Sequence, residues 1–246
     1  MTPRTLLALG AAVLAFSASA LAFDGTAGLG ADVAVAAETS HDAAPVHVTK
    51  AELRRVDSIE LDAEALVLRN GDDTVVESSM RDSGLTVSVL NRLLGTPSRT
   101  QTAEGDGGAC FPAGTTYTWG GAIRVAALTT DAAAGNAVEI RVLRNSVRSV
   151  LGRQIELIGP GGVRVGDDIA DEIADAPRSE RVSYGSDDSR AWQLLLREGW
   201  ADRHDDDDES SEHSDDAGTN GVSALTNETT VTVLGSPMPV HAQRSC

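Results

Sequence analysis

The acidic run at residues 202–216 is the stretch densest in side chains that bind metal ions. Its sequence, DRHDDDDESSEHSDD, holds nine carboxylates together with His204 and His213. Carboxylate oxygens suit Ca²⁺, but a calcium loop needs ligands at fixed offsets and a glycine for its sharp turn, and this run has neither. Blocks of like charge are typical of solvated segments. We therefore predict a solvent-exposed acidic loop and no specific metal site.

Other catalytic patterns are incomplete in this sequence. No G-x-S-x-G elbow occurs, and the glycine-rich stretches 105–108 and 159–162 lack the Lys-Ser/Thr of a phosphate-binding loop. Glycoside hydrolysis needs a pair of carboxylates, whereas the strand carboxylates occur singly, at Glu60, Glu77, Glu139 and Glu156. We therefore expect no catalytic residue, no cofactor site and no enzymatic activity. A hydrolase whose site is assembled from scattered residues stays open as an alternative.

The two cysteines are Cys110 and Cys246. In an exported chain two cysteines favour one disulfide, which would fasten the C-terminus to the first half. Two unpaired thiols are the alternative.

Four aromatic residues are candidates for a partner surface. Tyr117 and Trp119 share one face of a predicted strand, and the even spacing of Trp192 and Trp200 would place them on one face of another strand. Aromatic side chains on an open sheet face are typical interface anchors. Only 3% of the residues are aromatic, so these side chains are more valuable as core. A partner surface is the alternative.

The first residues predict export. Arg4 precedes the apolar run 6–16, and Ala20-Leu21-Ala22 is a small-x-small cleavage pattern. Residues 1–22 are therefore expected to be a signal peptide cleaved near Ala22, leaving a secreted or extracytoplasmic protein without a transmembrane span. An uncleaved membrane anchor is the alternative. Residues 23–50 lack apolar periodicity and are expected to form a flexible mature N-terminus.

The charge balance limits the kinds of partner. The chain has 37 acidic and 20 basic residues and a net charge of −17. Such a charge argues against nucleic acid and anionic lipid as partners, and it favours solubility, metal cations or a basic protein surface. We expect a protein partner.

Hydrophobic spacing predicts the elements of the first half. Alternation over residues 58–67 indicates a strand, and Asn70-Gly71 indicates a tight turn. Leu85, Val89, Leu90, Leu93 and Leu94 lie on one face of a helix that Ser83 or Thr86 can cap and that Gly95 and Pro97 end. Residues 115–119 and 122–128 predict two strands joined by Gly120-Gly121. Residues 138–143 predict a third strand, and residues 144–153 a short helical connection.

The second half repeats this order of elements. Residues 154–158 predict a strand, residues 169–174 a short helix before Pro177, and residues 192–196 and 222–234 further strands. The fold class expected is α+β, with two similar units, each a short helix packed on an antiparallel sheet. The units are residues 51–150 and residues 151–246, the second carrying the acidic loop. A single unrepeated α+β domain is the alternative.

Residues 85–97 (LTVSVLNRLLGTP) resemble the short-helix, Leu-Gly-x-Pro signature of bacterial envelope proteins of the small protein A and outer membrane lipoprotein A type. In those proteins a helix pair packs on an antiparallel sheet. The doubled arrangement looks like the tandem architecture of the secreted β-lactamase inhibitory proteins. Residues 162–167 (GVRVGD) are similar to the opening of such units in exported proteins of high-GC bacteria. The resemblance covers residues 75–128 and 159–246, although the first unit has one evident helix and the second lacks the Leu-Gly-x-Pro end.

The resemblance implies a protein-binding or envelope role, and it carries over no functional residue. Together with the incomplete catalytic patterns, it predicts a secreted or envelope-associated, non-enzymatic protein-binding module. A secreted inhibitor of an enzyme is the first alternative, and the hydrolase is the second.

Overall fold

The structure, a computed structural model, describes residues 48–105, 113–130, 135–186, 190–199 and 221–240. Within these ranges the helices are Lys50–Leu53 (α1), Ser83–Leu94 (α2) and Ala170–Asp175 (α3). The strands are Ser58–Leu61 (β1), Ala65–Asn70 (β2), Asp73–Ser79 (β3), Arg99–Ala103 (β4), Gly114–Trp119 (β5), Ile123–Leu128 (β6), Val138–Val142 (β7), Ser146–Arg148 (β8), Gln154–Ile158 (β9), Arg181–Tyr184 (β10), Ala191–Glu198 (β11), Gly221–Asn227 (β12) and Thr230–Ser236 (β13).

The strands form two sheets. A five-stranded sheet has the order β3-β2-β1-β9-β8, and an eight-stranded sheet has the order β10-β11-β12-β13-β7-β6-β5-β4. The eight-stranded sheet consists of two antiparallel meanders, β4 to β7 and β10 to β13, joined by the antiparallel pair β7 and β13. Strands β1 and β9 are parallel. The described part of the chain is therefore mostly β-structure with few helices, an α+β arrangement of two sheets.

One hydrophobic core fills the space between the sheets. Side chains alternate along the strands, so that one face of each sheet is apolar. The five-stranded sheet contributes side chains such as Leu66 and Leu157, and the eight-stranded sheet contributes Ile123, Ile140 and Leu234, all fully buried. Strands from both predicted units thus line the same core. The similarity of the two units and their boundary at residue 150 stay predictions.

Two tight turns form where the sequence predicted them, at Asn70-Gly71 and at Gly120-Gly121. Gly71 has φ +60° between β2 and β3, and Gly120 and Gly121 have φ +57° and +63° between β5 and β6. Positive φ at both central positions, as in Gly120-Gly121, or at the first central position alone, as at Gly71, matches the twist of antiparallel strands. The turn chemistry therefore sets the register of both hairpins.

Helix α2 begins and ends close to its predicted bounds. Its apolar stripe buries Val89, Leu90 and Leu93 against the core. The N-cap is Asp82, whose carboxylate accepts from the Leu85 N–H at 2.7 Å, and not Ser83 or Thr86 as the sequence suggested. Asp82 is preferred because a charged carboxylate also complements the positive end of the helix dipole.

The helical connection predicted at residues 144–153 is wrong. Strand β8 lies there instead and pairs with β9, with Val147 opposite Ile155. Val147, Val150 and Leu151 have helical spacing, but only Val147 is buried. Burying that one side chain in the sheet outweighed local periodicity, and the connection became a hairpin.

The last described residues cross the outer face of the second meander. The Met238 N–H donates to the Gly221 carbonyl at 2.8 Å, and the Ser223 hydroxyl donates to the Met238 carbonyl at 2.6 Å. The Gln193 amide donates to the carbonyls of Met238 and Pro239 at 3.2 and 2.9 Å. Hydrogen bonds to the second half therefore fix this segment, whatever the state of the cysteines.

None of the described helices combines the length and apolar character needed to cross a bilayer.

Candidate functional site

A groove lies beside α2, where the eight-stranded sheet extends past the helix. Its volume is about 460 Å³. Helix α2 packs against β3 and β6, and β5 and β4 follow β6 towards the edge of the sheet. The lining residues are Ser83, Gly84, Val87, Ser88, Asn91, Arg92, Tyr117 and Ala127. The groove thus has one helical wall and a sheet floor.

Tyr117 and Trp119 occupy the same face of β5 but differ in exposure. Trp119 is only 1% exposed, and its indole N–H donates to the Gly95 carbonyl at 2.9 Å. Tyr117 is half-buried and stacks on Trp119 with ring centroids 6.1 Å apart. Of the two roles expected, Trp119 takes the core role and is not a partner surface. Tyr117 lines the groove and remains accessible.

Strand β4 forms one edge of the eight-stranded sheet and is exposed along its whole length. It pairs with β5 on one side, with Thr100 opposite Tyr117 and Thr102 opposite Thr115. Thr100 and Thr102 therefore lie on the same face of the sheet as Tyr117, one strand nearer to its edge. An edge strand presents unpaired backbone N–H and C=O groups that another chain can pair with.

Trp192 lies at the opposite end of the same sheet. It is half-buried, and the guanidinium carbons of Arg181 and Arg190 lie 5.8 and 5.6 Å from its ring centroid. Five strand positions separate β11 from β5, about 24 Å at the usual strand spacing. Tyr117 and Trp192 are therefore not part of one patch. Trp200, Cys110 and Cys246 lie outside the described residues, and so does the proposed disulfide.

A charged cavity of about 350 Å³ lies on the outer face of the five-stranded sheet. Asp62 accepts from the Arg197 guanidinium at 2.6 Å, and Glu60 beside the cavity accepts from Arg69 at 2.5 Å. Glu64 and Glu77 also line or border it and are exposed. The two less exposed carboxylates are thus already paired with cations. Sequence reasoning treated these acids as solitary, because their convergence depends on strand register and on Arg197 from the other half.

Two described groups have a clearly shifted pKa. The Thr49 backbone N–H and hydroxyl donate to the Glu52 carboxylate at 2.6 and 2.8 Å, and these hydrogen bonds lower the pKa of Glu52. Burial lowers the pKa of Arg141, while Glu139 opposes this shift and Arg124 adds to it. Neither Glu52 nor Arg141 lines the groove beside α2.

Among the Asp and Glu residues in the described ranges, no three form a group that could hold a metal ion. The acidic run 202–216 and all five histidines lie outside those ranges. The expectation about metal sites therefore stays a prediction.

No family model, no curated protein and no solved structure matches this chain.

Proposed function

We propose that this chain is an exported, non-enzymatic protein-binding module that contacts its partner through β4 and the groove beside α2. One observation carries the proposal: an edge strand exposed along all of its length pairs with β5, whose accessible Tyr117 lines a groove of about 460 Å³.

The physical basis is strand addition. An extended segment of a partner can pair with the free edge of β4, and its backbone hydrogen bonds supply sequence-independent affinity. Side chains of that segment alternate in direction, so every second one faces the side of the sheet on which the groove lies. A part of the partner that continues over β4 can then reach the groove, which offers the Tyr117 ring and the hydroxyl or amide groups of Ser88 and Asn91. Tyrosine is enriched at binding sites because it offers a rigid apolar ring and a polar tip.

The doubled architecture is part of the same proposal. Each meander of the eight-stranded sheet is preceded by a helix, α2 before β4 and α3 before β10. The last strands of the two meanders, β7 and β13, pair antiparallel, which is the relation that a local twofold axis produces. This order supports two related units, residues 51–150 and 151–246, and fits the tandem arrangement that the resemblance implies. We further propose that residues 1–22 direct export and that the partner is extracytoplasmic, an enzyme being one kind of partner.

A groove variant tests the proposal. Ser88 is exposed on the helical wall, so Ser88→Arg should fill the groove without entering the core. Ser183→Arg places the same side chain on the opposite edge strand, β10, and is the matched control. We expect immobilised wild-type protein and the control to retain the same protein from the secreted fraction, and Ser88→Arg to retain at least tenfold less. Equal retention by Ser88→Arg would refute the groove as the contact surface.

The charged outer cavity gives the hydrolase alternative a specific location. Carboxylates and arginines that converge in one cavity are a common arrangement at catalytic sites. Asp62→Asn and Glu77→Gln are the diagnostic variants. Hydrolysis of a glycoside or ester panel by the wild type, lost in both variants, would favour the hydrolase over the binding module.

A further inference from the structure

The tip of the β8–β9 hairpin exposes two consecutive apolar side chains. Val150 is 57% exposed and Leu151 is 50% exposed, and among the described large hydrophobic residues only Tyr184 is comparably exposed, at 41%. Single exposed apolar residues are normal on protein surfaces, whereas adjoining ones at a projecting turn indicate a contact site.

The turn that carries these side chains is fixed by hydrogen bonds. The Val150 N–H donates to the Leu93 carbonyl at the end of α2, at 3.0 Å. The Ser149 N–H donates to the Arg153 carbonyl at 2.8 Å, and the Arg153 guanidinium donates to the Arg54 carbonyl. Val150 and Leu151 therefore project from a braced turn, and their exposure is a property of the fold.

Basic side chains surround the tip. A small cavity of about 30 Å³ beneath it is lined by Lys50, Arg54 and Arg92, together with Val150 and Leu151. Arg148 and Arg153 flank the turn and are exposed. Glu52 lies on the same helix as Lys50, and its carboxylate accepts hydrogen bonds from Thr49. A quarter of the 20 basic residues of a chain with net charge −17 thus gather around its most exposed apolar pair.

Ser149 adds an unsatisfied donor to the same place. Its side chain is 7% exposed and lines the cavity. Its hydroxyl is the one buried side-chain polar atom of the described residues that has no hydrogen-bond partner. A buried hydroxyl without a partner costs free energy unless a ligand atom completes it. A phosphate oxygen held by the three surrounding cations would do so.

We propose that this tip docks the protein on an anionic lipid bilayer. Val150 and Leu151 enter the boundary between headgroups and acyl chains, while Lys50, Arg54 and Arg92 contact lipid phosphates and Ser149 donates to one phosphate oxygen. Apolar residues ringed by cations satisfy both requirements of interfacial binding, buried apolar area and attraction to anionic headgroups. The net charge argued against such a partner, but the charge is segregated, and the Debye length of about 8 Å at physiological salt limits repulsion from distant acids.

Vesicle cosedimentation tests this proposal with protein recovered from the secreted fraction. The vesicles contain either equal amounts of phosphatidylglycerol and phosphatidylcholine, or phosphatidylcholine alone. The apolar variant is Val150→Ser/Leu151→Ser, matched by Tyr184→Ser at the other exposed apolar residue. The charge variant is Lys50→Gln/Arg54→Gln, matched by Arg124→Gln/Arg144→Gln, at two exposed arginines that lie on β6 and after β7.

We expect the wild type and both controls to bind the anionic vesicles, and each tip variant to partition at least tenfold less. Binding to phosphatidylcholine alone should also be at least tenfold weaker. In Leu151→Trp, the tryptophan emission should shift to shorter wavelength when anionic vesicles are added. Absence of wild-type binding would overturn the proposal. Undiminished binding by Val150→Ser/Leu151→Ser would also overturn it, because it would indicate simple charge attraction at another surface.

Discussion

Tyr117 and Trp119 lie two residues apart on one face of β5, and their surroundings give them different roles. The Trp119 ring is enclosed and its N–H is paired with the Gly95 carbonyl. The Tyr117 ring stacks on it at the margin of the core and lines the groove. The sequence predicts only that the two side chains lie on the same face of the strand, because the exposure of each ring depends on where α2 ends over the sheet.

These two residues should therefore separate stability from binding. Trp119→Phe removes a buried hydrogen bond and leaves the Gly95 carbonyl without its partner, so we expect the free energy of unfolding to fall by about 1–3 kcal/mol with partner retention unchanged. Tyr117→Ser should cost about 1 kcal/mol and lower partner retention at least tenfold. Urea unfolding followed by circular dichroism, with the capture assay, measures both. Loss of retention in Trp119→Phe with normal retention in Tyr117→Ser would reverse the assignment.

A second residue-scale prediction concerns pH. The Thr49 hydrogen bonds lower the pKa of Glu52 in the folded state, so the charged carboxylate contributes stability that is present above the unfolded-state pKa. That contribution is lost as the pH falls through the lower, folded-state pKa. We expect the wild type to lose more stability than Glu52→Gln in acid titrations over this range. Parallel pH profiles for the two proteins would contradict the capping-box assignment.

At the scale of elements, local signals predicted the hairpin turns and α2 but not the β8–β9 hairpin. Gly120-Gly121 and the leucine spacing of α2 act through bonds and neighbours close in sequence, and both are confirmed. The helix prediction for residues 144–153 was wrong because Val147, Val150 and Leu151 have helical spacing. The residues form a hairpin instead, in which Val147 is buried in the core. The candidate groove could not be predicted from the sequence either, since it forms only when α2 packs over β6.

Glycine substitutions test two elements that flank the groove. A Cβ on Gly114, in β5, would lie 2.4 Å from the Ala127 carbonyl oxygen on β6, so Gly114→Ala must separate the strands. We expect it to lower the free energy of unfolding by about 1–3 kcal/mol. A Cβ on Gly84, in α2, would contact only the Asp82 carboxylate, at 3.5 Å. Because alanine has a higher helix propensity than glycine, we expect Gly84→Ala to raise the free energy of unfolding by about 1 kcal/mol. Thermal unfolding of both variants measures these changes. An unchanged free energy of unfolding in Gly114→Ala would mean that β5 and β6 are less closely paired than in this structure.

At the scale of the whole molecule, pairings between distant segments hold the described chain together. Strand β1 pairs with β9, and β7 pairs with β13, so each sheet combines both halves of the sequence. The Asp62–Arg197 ion pair also joins the halves, but exposed pairs of this kind contribute less than about 1 kcal/mol. Such long-range pairings leave no local trace in the sequence, which is why it did not predict that β1 pairs with β9 or that β7 pairs with β13.

Shared sheets predict one cooperative unfolding transition. Because a single core contains residues of both halves, tryptophan fluorescence and far-ultraviolet circular dichroism should give coincident urea curves. Residues 151–246 expressed alone should lack that transition, since β9 would lose β1 and β13 would lose β7. Two separate transitions in the intact protein would instead favour independently folded units.

Amide hydrogen exchange of β4 tests the central claim most directly. With the partner retained from the secreted fraction, the exposed edge amides of Arg99–Ala103 should exchange at least tenfold more slowly than in the free protein, because they would then be hydrogen-bonded to the partner strand. The opposite edge strand, Arg181–Tyr184, should exchange at an unchanged rate. Unchanged exchange in Arg99–Ala103, with slowing confined to other surfaces, would contradict strand addition at this edge.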